Sequence, residues 1–231
     1  YGLTGEVNIS GTRELINREI GPFLVGKDPL DSERVWDEVY RRFNPRSLTG
    51  VISFALGAID IAIWDLKGKF LGQPVWRLLG GYRQTIPAYI TFGLPDYSRE
   101  QLAEAARHFV AQGNHSLKMV VARTPGQDLV EDAARVRTVR EAIGDRVRLM
   151  VDANHLFTYL QAKELCERIE PYNIAWFEEP VFANDALTLA QLRRVTRIPI
   201  AAGQHEGHRF RHRELILAGA IDIAQTNVLH G

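Results

Sequence analysis

Leu149-Met150-Val151-Asp152, Ile174-Ala175-Trp176-Phe177-Glu178 and Ile198-Pro199-Ile200-Ala201-Ala202-Gly203-Gln204 are three short apolar runs, each ending in a carboxylate or amide side chain. Positions 152, 178 and 204 are spaced 26 residues apart. That interval holds one strand–helix–strand step, so the three tips should arrive at the same end of neighbouring parallel strands. In a (β/α) barrel that end is where chemistry is done. Oxygen donors converging there suit a hard divalent cation, Mg²⁺ above all. A second reading stands beside this one, in which each polar tip caps the helix that follows it.

The same alternation extends outward from these runs. Strands are predicted at 85–91, 116–122, 147–152, 174–178, 198–202 and 221–226, with amphipathic helices at 99–112, 128–143, 158–169, 185–195 and 211–218. The first of these helices opens on a capping box, Ser98-x-x-Gln101, and stops at Gly113. Six strands are visible where a closed barrel has eight, so further strand–helix units are expected beyond the given sequence. Upstream, residues 1–82 read differently. Thr4 to Ser10 is expected to be extended. A helix capped by Asp31 or Ser32 carries Val35, Trp36, Val39 and Tyr40 towards Asn44-Pro45. A second runs from Val51 to about Phe70 with Ile52, Ala55, Leu56, Ile59 and Ile63 on one stripe, before Gly72, Pro74 and Gly80-Gly81 break the pattern. The chain thus divides into a smaller region, 1–82, and an α/β region, 83–231.

Lys plus Arg and Asp plus Glu are both 28, so no global basic field exists to hold nucleic acid or an anionic membrane. No apolar run approaches the roughly 18 residues needed to span a bilayer. The single cysteine, Cys166, has no partner within the chain and lies with Ala162, Leu165 and Ile169 on an apolar helical face, which reads as core in a cytoplasmic protein. The run Gly207-His208-Arg209-Phe210-Arg211-His212-Arg213 is locally basic, but within a neutral chain it reads as the solvated first turn of a helix. The four tryptophans fall on apolar faces and read as core.

Ala58-Ile59-Asp60-Ile61-Ala62-Ile63-Trp64-Asp65-Leu66-Lys67-Gly68-Lys69, followed by Gly72-Gln73-Pro74 and Leu78-Leu79-Gly80-Gly81, closely resembles the enolase superfamily, in its mandelate racemase and muconate lactonizing branch. Val151-Asp152-Ala153-Asn154, Trp176-Phe177-Glu178-Glu179-Pro180 and Gly219-Ala220-Ile221-Asp222-Ile223-Ala224-Gln225 resemble its strand ends. The resemblance implies an α+β capping domain over a modified (β/α) TIM-type barrel, incomplete in this chain, with Mg²⁺ holding a substrate carboxylate. It implies Asp152, Glu178 and Gln204 as metal ligands, with Glu206 as the alternative third, and Lys118 as the group facing the substrate carboxylate or assisting the base. Asn154, Arg209 and Asn227 become candidates for substrate contact. It also implies a sugar acid or similar small carboxylate as substrate, and a homo-oligomer.

Three departures sharpen this reading. Where many members carry Lys-x-Lys, this chain reads Lys118-Met119-Val120. Gln204 stands where the third ligand is usually Glu, and Gln225-Thr226-Asn227 stands where Pro-Asp or a lysine is usual. His155 and His205 are the candidates to carry the proton instead. One-base elimination, a Mg²⁺-dependent sugar-acid dehydration, follows more naturally than two-base racemisation. A racemase, epimerase or cycloisomerase is the second reading, and a non-catalytic homologue that kept only the scaffold is the third.

Overall fold

The computed structural model describes residues 9–45, 47, 49–124 and 128–230. The chain forms two compact units, one of residues 1–86, 204–213 and 226–231, the other of residues 87–203 and 214–225.

The first unit is helical. Helix α1 (Ile9–Leu15) continues through a π-helical turn, Ile16–Ile20, into α2 (Gly21–Leu24); α3 (Ser32–Phe43), α4 (Val51–Leu71) and α5 (Val75–Leu78) follow. Residues 4–8 of the expected extended piece lie outside the described residues, and Ile9 and Ser10 begin a helix instead. The reason is downstream: Leu15, Ile16 and Ile20 share helical spacing and pack with Val35, Val39, Leu56, Ile59 and Ile63 in one core. Helix α3 starts where Ser32 accepts a hydrogen bond from the Lys67 ammonium. Helix α4 ends at Gly72, whose φ of 62° only glycine adopts without cost; its N–H reaches back to the carbonyls of Gly68 and Lys69. His208 is buried in this unit, bonded through Nε2 to the Ser47 carbonyl and edge-on to the rings of Trp36 and Tyr40.

The second unit alternates strand and helix throughout: β1 (Ile90–Phe92), α6 (Arg99–Ala111), β2 (Ser116–Val120), α7 (Leu129–Ile143), β3 (Arg148–Asp152), α8 (Tyr159–Ile169), β4 (Ile174–Glu178), α9 (Ala186–Val195), β5 (Ile200–Ala202), α10 (His208–Leu217) and β6 (Ile223–Ala224). The α6 and α8 helices both open on capping boxes, Ser98/Gln101 and Thr158/Gln161. Helix α10 begins three residues earlier than its apolar pattern predicts. All six strands are parallel and lie in the order β1-β2-β3-β4-β5-β6. A doubly wound sheet reverses direction at a switch point, whereas an unbroken sequential order is that of a (β/α) barrel.

Alternation along the strands sends side chains to two faces. Leu117, Met119, Leu149, Val151, Phe177, Ile200 and Ala202 join the large core formed with the helices. The opposite face is smaller and mixed: Met150, Trp176 and Ala201 cluster there, and Lys118, Asp152 and Glu178 belong to the same alternation. A bulge decides which residues meet. Leu149 pairs with Ile174 but Val151 pairs with Phe177, so β4 carries one residue more than β3 over the same rise. The extra residue brings Glu178 level with Asp152 on one face. Without it Phe177 would take that place.

Candidate functional site

Asp152 and Glu178 are paired in register at the carboxyl ends of β3 and β4, and both are buried. Lys118 sits lower. Its register partners are Thr91 and Met150, so it is mid-strand, two residues before the β2 tip where its sequence position had suggested it would stand. Its four-carbon stem spans the difference. The ammonium lies 2.9 Å from Asp152 Oδ2 and 2.7 Å from Glu178 Oε2. Val120, on the same face, is the residue level with Asp152, so the β2 tip is apolar.

This triad sets its own electrostatics. Burial raises the Glu178 carboxyl above the usual range and the neighbouring Asp152 charge pushes it further; hydrogen bonds from Lys118 and Gln225 act in the opposite sense. Burial pulls against the Lys118 charge as well, but the two carboxylates outweigh it and hold the ammonium above the ordinary lysine range. Lys118 therefore favours its charged form while it bridges the two carboxylates.

Three further side chains surround the triad. The indole Nε1–H of Trp176 donates to Glu178 Oε2 at 3.3 Å. Tyr89 lies edge-on to Trp176 with ring centroids 5.5 Å apart, and the Lys118 ammonium is 5.3 Å from its ring centre. Burial raises the Tyr89 phenol, partly offset by Lys118. Gln225 donates to Glu178 through its amide, while its Oε1 is buried without a hydrogen-bond partner among the described residues. Trp176 is buried among Met150 and Ala201, as its apolar run predicts, and its period-2 spacing from Glu178 also brings its indole to that carboxylate. Tyr89 carries no sequence signal for this place.

Just past the tips, the backbone turns sharply. Asn154, His155 and Glu179 have φ of 47°, 63° and 42°, and the His155 N–H donates to the Glu179 carbonyl at 2.8 Å. The Asn154 N–H donates to Asp152 Oδ1 at 3.0 Å. His155 Nε2 is 2.7 Å from Glu179 Oε2, and Asn184 Nδ2 donates to Glu179 Oε1 at 3.1 Å. Glu179 is fully buried.

The remaining predicted residues follow β5 and β6 in the chain. Gln204 occupies the turn two residues beyond β5 and is half-buried, and His205 beside it is exposed. Glu206 is buried against Arg211, whose Nε donates to it at 3.0 Å, so its carboxylate is committed locally. Arg209 is exposed and lies over the Phe210 ring. Asn227 Oδ1 accepts the Leu229 N–H and caps a short 3₁₀ turn.

Comparison with known proteins agrees with this architecture. The family model described as mandelate racemase / muconate lactonizing enzyme, N-terminal domain, matches residues 2–80, and the one described as enolase C-terminal domain-like matches residues 101–230. The chain belongs to the mandelate racemase/muconate lactonizing branch of the enolase superfamily. Within that branch it is 35% identical to a D-galactarolactone cycloisomerase of Agrobacterium fabrum, over 89% of this chain and 54% of that protein. It is 30% identical to an arabinonate dehydratase of Saccharolobus solfataricus, over 99% of this chain and 60% of that protein. A solved racemase from Streptomyces coelicolor with bound magnesium superposes with a TM-score of 0.91 at 30% identity, covering 96% of this chain and 61% of that one. The chain therefore spans a little over half the length of the relatives it matches.

Proposed function

We propose that this chain carries the metal-binding strand ends of a Mg²⁺-dependent lyase acting on a sugar acid. The observation behind this reading is the buried Lys118–Asp152–Glu178 cluster at the carboxyl ends of adjacent parallel strands. The donor set fits the metal: carboxylate oxygens, and beside them an amide oxygen of Gln225 that lacks a partner, with no sulfur or imidazole among them. Asp152 and Glu178 would hold the ion. Gln204 enters as third ligand from the family resemblance and its place after β5. Bound there, Mg²⁺ would neutralise the charge that develops on a substrate carboxylate when the adjacent carbon loses its proton.

The chain's own residues account for the rest of the proposed reaction. Lys118, as an ammonium, attracts and orients the substrate carboxylate. His155, oriented by the buried Glu179, takes the proton from the carbon beside that carboxylate; the C–H electron pair forms a C=C bond to the carboxylate carbon and the C=O π pair moves onto oxygen. When the C=O bond re-forms, the C=C pair shifts to the next carbon, the C–O bond there breaks, and the hydroxyl leaves as water with the returned proton. His205 is the second candidate for the proton donor. Asn154, Arg209 and Asn227 are retained as candidates for contacts to the sugar hydroxyls or a second carboxylate. The reading keeps residues 1–82 as capping domain and 83–231 as barrel. Cycloisomerisation is the second reading, supported by the relatives that bear that name.

Calorimetric titration of Mg²⁺ into the full-length protein, beside Glu178→Gln and Asp152→Ala, tests the site, and a sugar-acid panel tests the chemistry. Micromolar-to-millimolar binding lost in both variants, with turnover lost alongside, is expected. Turnover with full metal occupancy in either variant would overturn the assignment.

A further inference from the structure

Lys118 reaches the candidate metal site from one layer below it, and the oxygens that it touches, Asp152 Oδ2 and Glu178 Oε2, belong to the two carboxylates that the proposed reading gives to the ion. The ammonium bridges the two carboxylates, and its side chain is 5% exposed against 6% and 1% for theirs. Two cations sharing two buried oxygens repel each other strongly, because water is not there to screen them. Two buried carboxylates without a cation between them also repel each other. One positive group must be present, and the lysine and a divalent ion exclude one another from the same contacts.

We propose that Lys118 is a built-in competitor of the metal: it neutralises Asp152 and Glu178 when no ion is bound, and metal entry displaces its ammonium towards the substrate side of the site. The inference rests on the metal-site reading above and extends it to how tightly the ion is held. The local charge supports it. Gln204 replaces an acidic ligand by a neutral one, so the three proposed ligands carry two negative charges, and Lys118 cancels one of them. The nearest β2 position that could hold a second cation level with Asp152 is Val120, which is apolar. Lys118 is therefore the group that limits metal affinity among the described residues of this face, and displacing it is what frees an ammonium to meet a carboxylate substrate. Metal binding and substrate capture are thereby coupled through one side chain.

The test is Mg²⁺ titration of chelator-stripped full-length protein, comparing wild type with Lys118→Met and Lys118→Arg. The neutral Met variant should bind Mg²⁺ at least tenfold more tightly than wild type, and the Arg variant no more tightly. Equal or weaker binding by Lys118→Met, with wild type binding normally, overturns the competition and leaves the metal site standing. Binding by Lys118→Met alone supports the competition in its strongest form. Failure of both wild type and Lys118→Met to bind overturns the metal reading and this inference together. A measurement on unaltered protein stands independently of whether the variants fold: reductive methylation of Lys118, read by peptide mass spectrometry with and without Mg²⁺. Labelling should rise several-fold with the metal, and unchanged labelling refutes displacement.

Discussion

Arg140 offers a quantitative test of how the barrel strands are anchored. Its guanidinium donates to four backbone carbonyls: Nε to Tyr172 at 2.9 Å, Nη1 to Gly144 at 2.7 Å and Val147 at 2.8 Å, and Nη2 to Asn173 at 3.1 Å. Val147 immediately precedes β3, and Asn173 immediately precedes β4. The arginine on α7 thus ties down the starts of the two strands whose far ends carry Asp152 and Glu178. In Arg140→Ala, the Gly144, Tyr172 and Asn173 residues are exposed or half-exposed and their carbonyls regain water, costing about 1 kcal/mol each. Val147 is 5% exposed, so its carbonyl is left without a partner, at about 1–3 kcal/mol. Losing the buried stem adds about 0.8 kcal/mol per methylene. The cost of burying the guanidinium, which now lowers its pKa, disappears with it and offsets part of the total.

The balance is about 4 kcal/mol for Arg140→Ala and about 2 kcal/mol less for Arg140→Met, which keeps the stem. Urea unfolding followed by circular dichroism and tryptophan fluorescence measures both. A loss below about 1 kcal/mol in the Ala variant would refute the anchoring argument, since that is the range of an ordinary surface change. Equal losses in the Ala and Met variants would refute the assignment of half the effect to packing.

Two other outcomes follow from buried groups. His208 is held below the usual imidazole pKa, first by burial and further by Arg209, against the Ser47 carbonyl, which favours the charged form. Its unfolded form binds a proton before the folded form does, so stability should fall as pH drops below about 6.5; in His208→Gln that part of the pH dependence should vanish, and an unchanged acid limb of the urea midpoint would contradict it. Cys166 is 3% exposed and its thiol is pushed up to about 12 by burial; the native protein should resist iodoacetamide at pH 8 and react only on unfolding, whereas rapid native labelling would place the thiol at the surface.

Periodicity made most of the framework legible. The strand–helix alternation from β2 to α9 is carried by local signals, including two capping boxes and apolar stripes, and these fall within a residue or two of the observed bounds. Short strands read less well. β1 and β6 are predicted at seven and six residues and are three and two long; Thr85 to Tyr89 are exposed and lie outside the ladder. The bulge in β4 is not readable from the chain, since Ile174-Ala175-Trp176-Phe177 is uniformly apolar and no polar residue marks which position is extra. The spacing placed Asp152 and Glu178 at the ends of neighbouring strands all the same, and the bulge is what sets them level. What spacing could not supply is layer: Lys118 was legible as a residue of β2, but only the ladder shows that it rises from below. Glu179 was hidden for a different reason. Its neighbour Glu178 explained the motif, and its partnership with His155 depends on two left-handed turns that have no glycine to announce them.

The apolar tip of β2 bears on which proton transfer the site can perform. A base must offer a lone pair, and while the two carboxylates grip Lys118 they favour its protonated form. Val120 removes the other β2 position from which an amine could approach beside Asp152. The base proposed above, His155, is an imidazole against a buried carboxylate, an arrangement that can hold a general base in one orientation. Racemisation requires a second base on the opposite side of the reacting carbon, whereas elimination of water requires one base that can also return its proton to the departing hydroxyl. The same substitution that empties the β2 tip therefore bears on reaction class: it favours the proposed dehydration over racemisation. Restoring an amine with Val120→Lys should not improve dehydration, because a second ammonium level with Asp152 would compete for the metal just as Lys118 does.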